Sequence, residues 1–146
     1  MATLIAKEEE NSGFGKMLGI KAAGPMQLIK SIQDGLPFQA LKRIRKEMGL
    51  PMESLAGSIG ISSRTLTRRK KEKKLNSFES DRLVSISRLV SMAIRLFEGD
   101  KAKAFEWFSK SNRALGGISP LEMAATETGA REVENLIGRL EHGVFT

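Results

Sequence analysis

Apolar residues recur at helical spacing through most of the chain, and no stretch alternates apolar with polar in the manner of a strand. Met26, Leu28, Ile29 and Ile32 lie between Pro25 and Gly35, a proline suited to the first helical position and a glycine suited to the stop, which predicts a helix over 25–34. Pro37 opens a second helix and Gly49 closes it. Phe38, Leu41, Ile44 and Met48 form its stripe, and Lys42, Arg43, Arg45 and Lys46 lie off it. A brief third helix runs from Met52 to about Ile59 and breaks at Gly60, and a fourth, capped by Ser62 or Ser63, runs to about Lys71. Asn76-Ser77 mark a boundary.

The clearest periodicity spans 79–97, where Leu83, Ile86, Leu89, Val90, Ala93, Ile94 and Phe97 trace one face. Gly99 stops that helix, and Asp100 caps one holding Ala104, Phe105, Trp107 and Phe108. A loop over 111–117 leads to Ser119-Pro120-Leu121-Glu122, the pattern of a capping box. That helix is expected to end at Gly129. The last one, from Ala130 to about His142, presents Val133, Leu136, Ile137 and Leu140 and stops at Gly143. Residues 1–24, with four glycines and little periodicity, read as a flexible arm with a short apolar contact around Met17–Ile20. The fold class is all-α.

Composition narrows the function. The 146 residues are 40% hydrophobic and 28% charged, as in globular chains, and long enough to bury a core without staples. There is no Cys or Tyr and one His, His142, which removes thiolate chemistry and histidine metal clusters and disfavours an enzyme. No metal or cofactor is expected. No apolar run approaches the ~20 residues of a membrane span, the first residues lack the basic region of a signal peptide, and a cytoplasmic protein is expected.

The net charge of +7 is uneven: residues 1–75 hold 15 Lys and Arg against 7 Asp and Glu, whereas residues 76–146 hold 9 against 10. A basic first half points to a polyanionic partner for that half. Three parts are expected: an arm over 1–24, a DNA-binding domain over 25–75 and a second domain over 76–146.

Residues 52–69 match a helix-turn-helix. Ala56 is small where two helices cross, Gly60 suits the turn, and Leu55, Ile59, Ile61 and Leu66 clamp the pair. Ser62, Ser63, Arg64 and Thr65 then fall at the end of the second helix that faces base edges. Arg68, Arg69, Lys70, Lys71, Lys73 and Lys74 continue as a cationic run interrupted by Glu72, suited to phosphates. Arg69 stands where such helices often carry an apolar residue; either the helix ends early or the Arg69 stem lies on the core. The plainer readings are two core helices joined by a glycine turn and a solvated basic face. Trp107 with Phe105 and Phe108 reads as core, His142 as a residue complementing a helix C-terminus, and Glu106, Glu122 and Glu132 as surface carboxylates.

These residues resemble a known family. The string Ser62-Ser63-Arg64-Thr65-Leu66-Thr67-Arg68-Arg69, then Leu75 and Glu79-Ser80-Asp81-Arg82, resembles the helix-turn-helix part of Xre-type antitoxins. Ala102, Trp107, Asn112, Leu115-Gly116-Gly117, Ser119-Pro120-Leu121, Thr128-Gly129, Val133-Glu134 and His142-Gly143-Val144 resemble the ParS/MbcA-type toxin-binding domain. The resemblance covers roughly residues 25–146. It implies an antitoxin of a type II toxin–antitoxin module that binds a RES-domain toxin, an NAD-consuming enzyme, and blocks its active site. It also implies binding to operator DNA, repression of its own operon, and a homodimer, for which the amphipathic 79–97 helix is a candidate surface.

On that resemblance the toxin-binding residues are Asn112, Leu115, Arg131, Glu134, Arg139, His142, Val144, Phe145 and Thr146. The apolar Val144-Phe145 pair has two readings: it folds back onto its own core, or, as the resemblance implies, it enters the NAD pocket with the Thr146 carboxylate, with Arg131, Glu134 and Arg139 at the rim. The rival reading is a stand-alone transcriptional regulator whose second half dimerises or senses a ligand.

Overall fold

The computed structural model describes residues 16–20 and 24–143. They form α1 (Pro25–Asp34), α2 (Phe38–Met48), α3 (Met52–Ser58), α4 (Ser63–Glu72), α5 (Ser77–Leu96), α6 (Lys101–Ser109), a 3-10 turn (Arg113–Leu115), α7 (Pro120–Met123) and α8 (Glu127–Glu141). Among the described residues the only extended pairing is two isolated bridges, Pro37 with Lys74 and Asn112 with Ile118. The all-α expectation holds.

Local chemistry explains most of the boundaries. Pro37 and Gly49 flank α2 as expected, and the Ser62 hydroxyl accepts from the Thr65 N–H at the start of α4. α5 begins two residues earlier than the apolar period indicates, because Asn76 builds a capping box. The Glu79 N–H donates to Asn76 Oδ1 at 2.8 Å, and the Asn76 N–H donates to Glu79 Oε1 at 2.9 Å. At α7 the Ser119 hydroxyl accepts from the Glu122 N–H, but the Glu122 carboxylate accepts from the Ser119 hydroxyl rather than from a backbone N–H.

Gly129 does not end a helix. The chain pauses after Met123, Thr126 caps α8 by accepting from the Gly129 N–H at 3.0 Å, and Gly129 sits in the first turn of that helix. The position needs glycine for space: a Cβ there would lie 1.7 Å from the Met123 carbonyl oxygen. The close approach of α8 to the end of α7 selects the residue.

α5 is the central element. Its 20 residues extend about 30 Å. It packs against α1, α6 and α8. Leu83, Ile86, Leu89, Val90 and Ala93 are all fully buried within the chain, each large one contributing about 1.5–3 kcal/mol of apolar burial. The amphipathic stripe offered as a dimer surface is thus core, and a homodimer would need another face. Trp107 packs half-buried between Phe97 and Phe108, at ring-centre distances of 6.2 and 6.4 Å, in the core role expected of it. Met17 and Leu18 are buried, so the arm makes the apolar contact read from its sequence.

Candidate functional sites

α3 and α4 meet as the helix-turn-helix. Ala56 is buried where they cross, Leu55, Ile59 and Ile61 are buried around it, and Gly60 turns the chain at φ 79°. The Ile61 N–H closes the turn on the Ala56 carbonyl at 2.9 Å. Leu66 packs half-buried against this core and sets the phase of α4. The spacing i, i+4, i+7 then puts Arg64, Arg68 and Lys71 on one outward face. All three are exposed. Exposed Arg68 also approaches Glu72, at 3.8 Å.

The other predicted DNA-facing residues separate into different roles. Ser62 is the cap, Ser63 is exposed beside it, and half-buried Thr65 accepts a hydrogen bond from the Ser62 hydroxyl at 3.1 Å. Arg69 turns inward. Its side chain is 13% exposed, and its guanidinium donates to both oxygens of Glu79, at 2.7 and 3.2 Å, and to Glu72 at 3.2 Å. The Glu79 hydrogen bond, ahead of the opposing effect of burial, raises the Arg69 pKa above its already high ordinary value. An arginine held this way is a strut between α4 and α5. The alternative of an early helix end does not occur.

The cationic run also bends. α4 ends at Glu72, and Lys73 adopts a left-handed conformation at φ 62°. The Phe38 N–H donates to the Lys73 carbonyl at 3.0 Å, and the Leu75 N–H to the Leu36 carbonyl at 2.9 Å. Lys73 and Lys74 therefore follow the chain back toward the start of α2, and the Lys74 stem runs beside Gly35. Lys70 faces the other way, into a groove of about 830 Å³ between α2 and α4. Lys42, Arg43, Arg45 and Lys46 line the α2 side. The periodicity had set these four off the apolar stripe, but their convergence with Lys70 is a tertiary fact with no local signal.

The second half is tied to the first through α5. Arg88 makes a two-pronged pair with Glu134 of α8, both contacts at 3.0 Å. That hydrogen bonding, against a smaller desolvation effect, holds the Glu134 carboxyl below its ordinary pKa. Buried Arg82 donates to the carbonyl of Ala124 just past the end of α7, which ties α5 to the start of the α7–α8 unit.

The predicted toxin-facing residues are also distributed. Asn112 caps the 3-10 turn, accepting from the Ala114 N–H at 3.0 Å, and its backbone pairs with Ile118. Leu115 is buried at 6%, so it shapes the loop from within. Arg131 is exposed and paired with Glu127 at 3.1 Å, Arg139 is half-buried and His142 is the exposed C-cap of α8. Val144, Phe145 and Thr146 lie outside the described residues.

A helix-turn-helix with an outward arginine face, joined through one long helix to a capped loop-and-helix unit, defines a DNA-binding protein with an appended interaction domain. Comparison with known families gives both parts a description. Residues 27–88 match the antitoxin Xre-like helix-turn-helix domain, and residues 92–143 match the antitoxin Xre/MbcA/ParS C-terminal toxin-binding domain. The chain is 39% identical over 130 residues to the antitoxin Xre of Yersinia enterocolitica, covering 88% of each chain. It is 34% identical over 138 residues to the antitoxin Xre of Photorhabdus laumondii, covering 94% of this chain and 93% of that one. A Prs ADP-ribosylating antitoxin of a Sphingobium strain is 24% identical over 132 residues, 84% of this chain and 83% of that one. The chain belongs to the Xre antitoxin family.

Among the described residues no group of three or more His, Cys, Asp or Glu could hold a metal ion, and no helix is long and apolar enough to cross a membrane.

Proposed function

We propose that this chain neutralises a RES-domain toxin by blocking its NAD-binding active site and represses its own operon by binding operator DNA. On this reading it is a cytoplasmic binding protein rather than a catalyst. The observation that carries the proposal is the joint presence of the two family footprints on one chain, with identity to antitoxin Xre relatives over nearly their full length. The name of the Sphingobium relative supports an NAD-linked toxin, since ADP-ribosyl transfer draws its group from NAD.

Arg64 and Arg68 are assigned to base edges and Lys71 to phosphate, because they share the outward face of α4. Arg69 is left out of that set, because its guanidinium is held by Glu79 and Glu72. The helix-turn-helix match runs on to residue 88, within α5, and the toxin-binding match begins at residue 92, so α5 joins the two parts.

For the toxin, we assign occlusion to Val144-Phe145-Thr146, with Arg131 and Arg139 of α8 at the rim. A buried Phe contributes about 1.5–3 kcal/mol, or one to two decades of affinity. The test is deletion of Val144–Thr146 in the full-length protein, with toxin binding and NAD consumption measured together. Restored NAD consumption with weakened but persistent binding is expected. A truncated protein that silences the toxin at the same concentrations as the full chain overturns the tail assignment. Absence of a RES-domain protein from the adjacent reading frame overturns the choice of partner.

A further inference from the structure

We propose that the groove between α2 and α4 is a second phosphate-binding surface, which grips the DNA backbone beside the recognition helix. The inference rests on the reading of α4 as the DNA-facing helix and extends the interface to an element outside the helix-turn-helix.

Lys42, Arg45 and Lys46 lie at i, i+3 and i+4 on α2, so their charges share one face of that helix. Like charges at that spacing oppose helix formation by a few tenths of a kcal/mol per pair, so the arrangement favours a bound anion. Arg43 lines the groove beside them, Lys70 supplies a fifth cation from α4, and the lining residues include no Asp or Glu. Glu47, next in sequence to Lys46, is paired instead with Lys101 at 3.2 Å. Phe38, Met52 and Leu66 form an apolar floor, and the Lys42 ammonium sits 5.9 Å from the Phe38 ring centre, which holds that charge at the rim.

The occupant is identified by continuity. Thr67 and Lys70 line the groove from the flank of the same helix whose outer face carries Arg64, Arg68 and Lys71. A duplex laid on that outer face brings its sugar-phosphate strand to the flank. A row of phosphates matches a row of cations, whereas a single anion would leave most of them unpaired. Such contacts carry no sequence information, and they set affinity and its salt dependence.

The test compares the full-length protein with the Lys42→Gln/Arg45→Gln/Lys46→Gln variant. Binding is measured across a salt series to the DNA upstream of its own reading frame and to a scrambled duplex of equal length. Three lost phosphate contacts lower the log–log salt slope by two to three and weaken both duplexes on the order of a hundredfold at 0.1 M salt, leaving the ratio between them unchanged. The Lys42→Arg/Lys46→Arg variant keeps the slope. If circular dichroism shows that the triple variant is unfolded, single Lys46→Gln must still lower the slope by about one. An unchanged slope overturns the proposal. So does a loss confined to toxin binding, which would mark the groove as a seat for an acidic protein segment. A wild-type protein that binds both duplexes equally overturns the operator reading instead, while its slope on the scrambled duplex still tests the groove.

Discussion

Arg69 and Glu79 share two hydrogen bonds, 2.7 and 3.2 Å long, across the junction between the recognition helix and α5. Glu79 also closes the capping box with Asn76, so a single carboxylate fixes both the end of one helix and the start of the next. Both side chains are nearly buried, at 13% and 6% exposure. Removal of Arg69 strands the Glu79 charge, and removal of Glu79 leaves Arg69 only its contact with Glu72 and opens the Asn76 capping box. Glu79→Ala is expected to cost about 3–5 kcal/mol and Arg69→Ala about 3 kcal/mol, with a double variant less destabilised than their sum. Chemical denaturation of the four proteins measures the coupling, and additive losses would refute it. Arg69→Lys preserves the charge but not the two-pronged contact, and should fall between wild type and Arg69→Ala.

The outward face of α4 gives a different signature. Arg64→Ala and Arg68→Ala are each expected to cost about 1–3 kcal/mol on the operator and to relax its discrimination, with folding stability unchanged. Lys71→Ala should weaken all duplexes alike and reduce the salt slope by about one. Undiminished operator affinity in the Arg64→Ala/Arg68→Ala double variant would remove α4 from the role of reader.

Gly129→Ala tests the packing of α8. With a Cβ placed 1.7 Å from the Met123 carbonyl oxygen, α8 must shift away from α7. A loss of about 3 kcal/mol is expected, at the upper end of ordinary overpacking. Gly138→Ala, where no heavy atom lies within 4 Å of the new Cβ, should instead be neutral or stabilising, since alanine favours the helix. Thermal melts should place Gly129→Ala well below wild type and Gly138→Ala at or above it.

The Arg88–Glu134 pair predicts an acid dependence. Its hydrogen bond lowers the Glu134 pKa in the folded state from the ordinary 4.5. A lowered carboxyl pKa contributes stability above the unfolded value and loses it as pH falls through the folded one. Both side chains are 39% exposed, so screening limits the contribution to about 1 kcal/mol or less. Glu134→Gln should therefore be slightly less stable than wild type near pH 7, and the two should converge as pH falls from 4.5 through the lowered folded-state pKa. A constant difference across that window would assign the effect to packing.

Much of this architecture was legible in the residues, because the signals are local. Pro37, Gly49, Ser62, Asn76, Asp100 and Ser119 each act on the backbone within a few residues of themselves, and each sits at the helix end where its chemistry places it. Gly129 was misleading for the same reason: a stop glycine and a close-approach glycine are identical in sequence, and only the position of Met123 separates them. Arg69 resembles its cationic neighbours until Glu79, ten residues on, is brought beside it. Lys73 and Lys74 leave the recognition helix because Leu36 and Phe38 pull that segment back into backbone pairing. The basic groove joins α2 to α4 across some 25 residues of chain and needed the folded form to be seen.

α5 runs without a break from the Asn76 cap to Leu96 and holds Glu79 near one end and Arg88 further along. A continuous α-helix turns 100° per residue, so it meters rotation as well as length. One residue inserted between Glu79 and Arg88 would offset the Arg88 face from the Glu79 face by about 100°, out of register with the core that both halves share, while a seven-residue insertion would restore the phase to within about 20° and lengthen the rod by about 10 Å. The rod thus works as a keyed shaft. Exchange of either half between relatives should preserve the angle between the two faces when the join conserves helical register, and should misalign them when it does not.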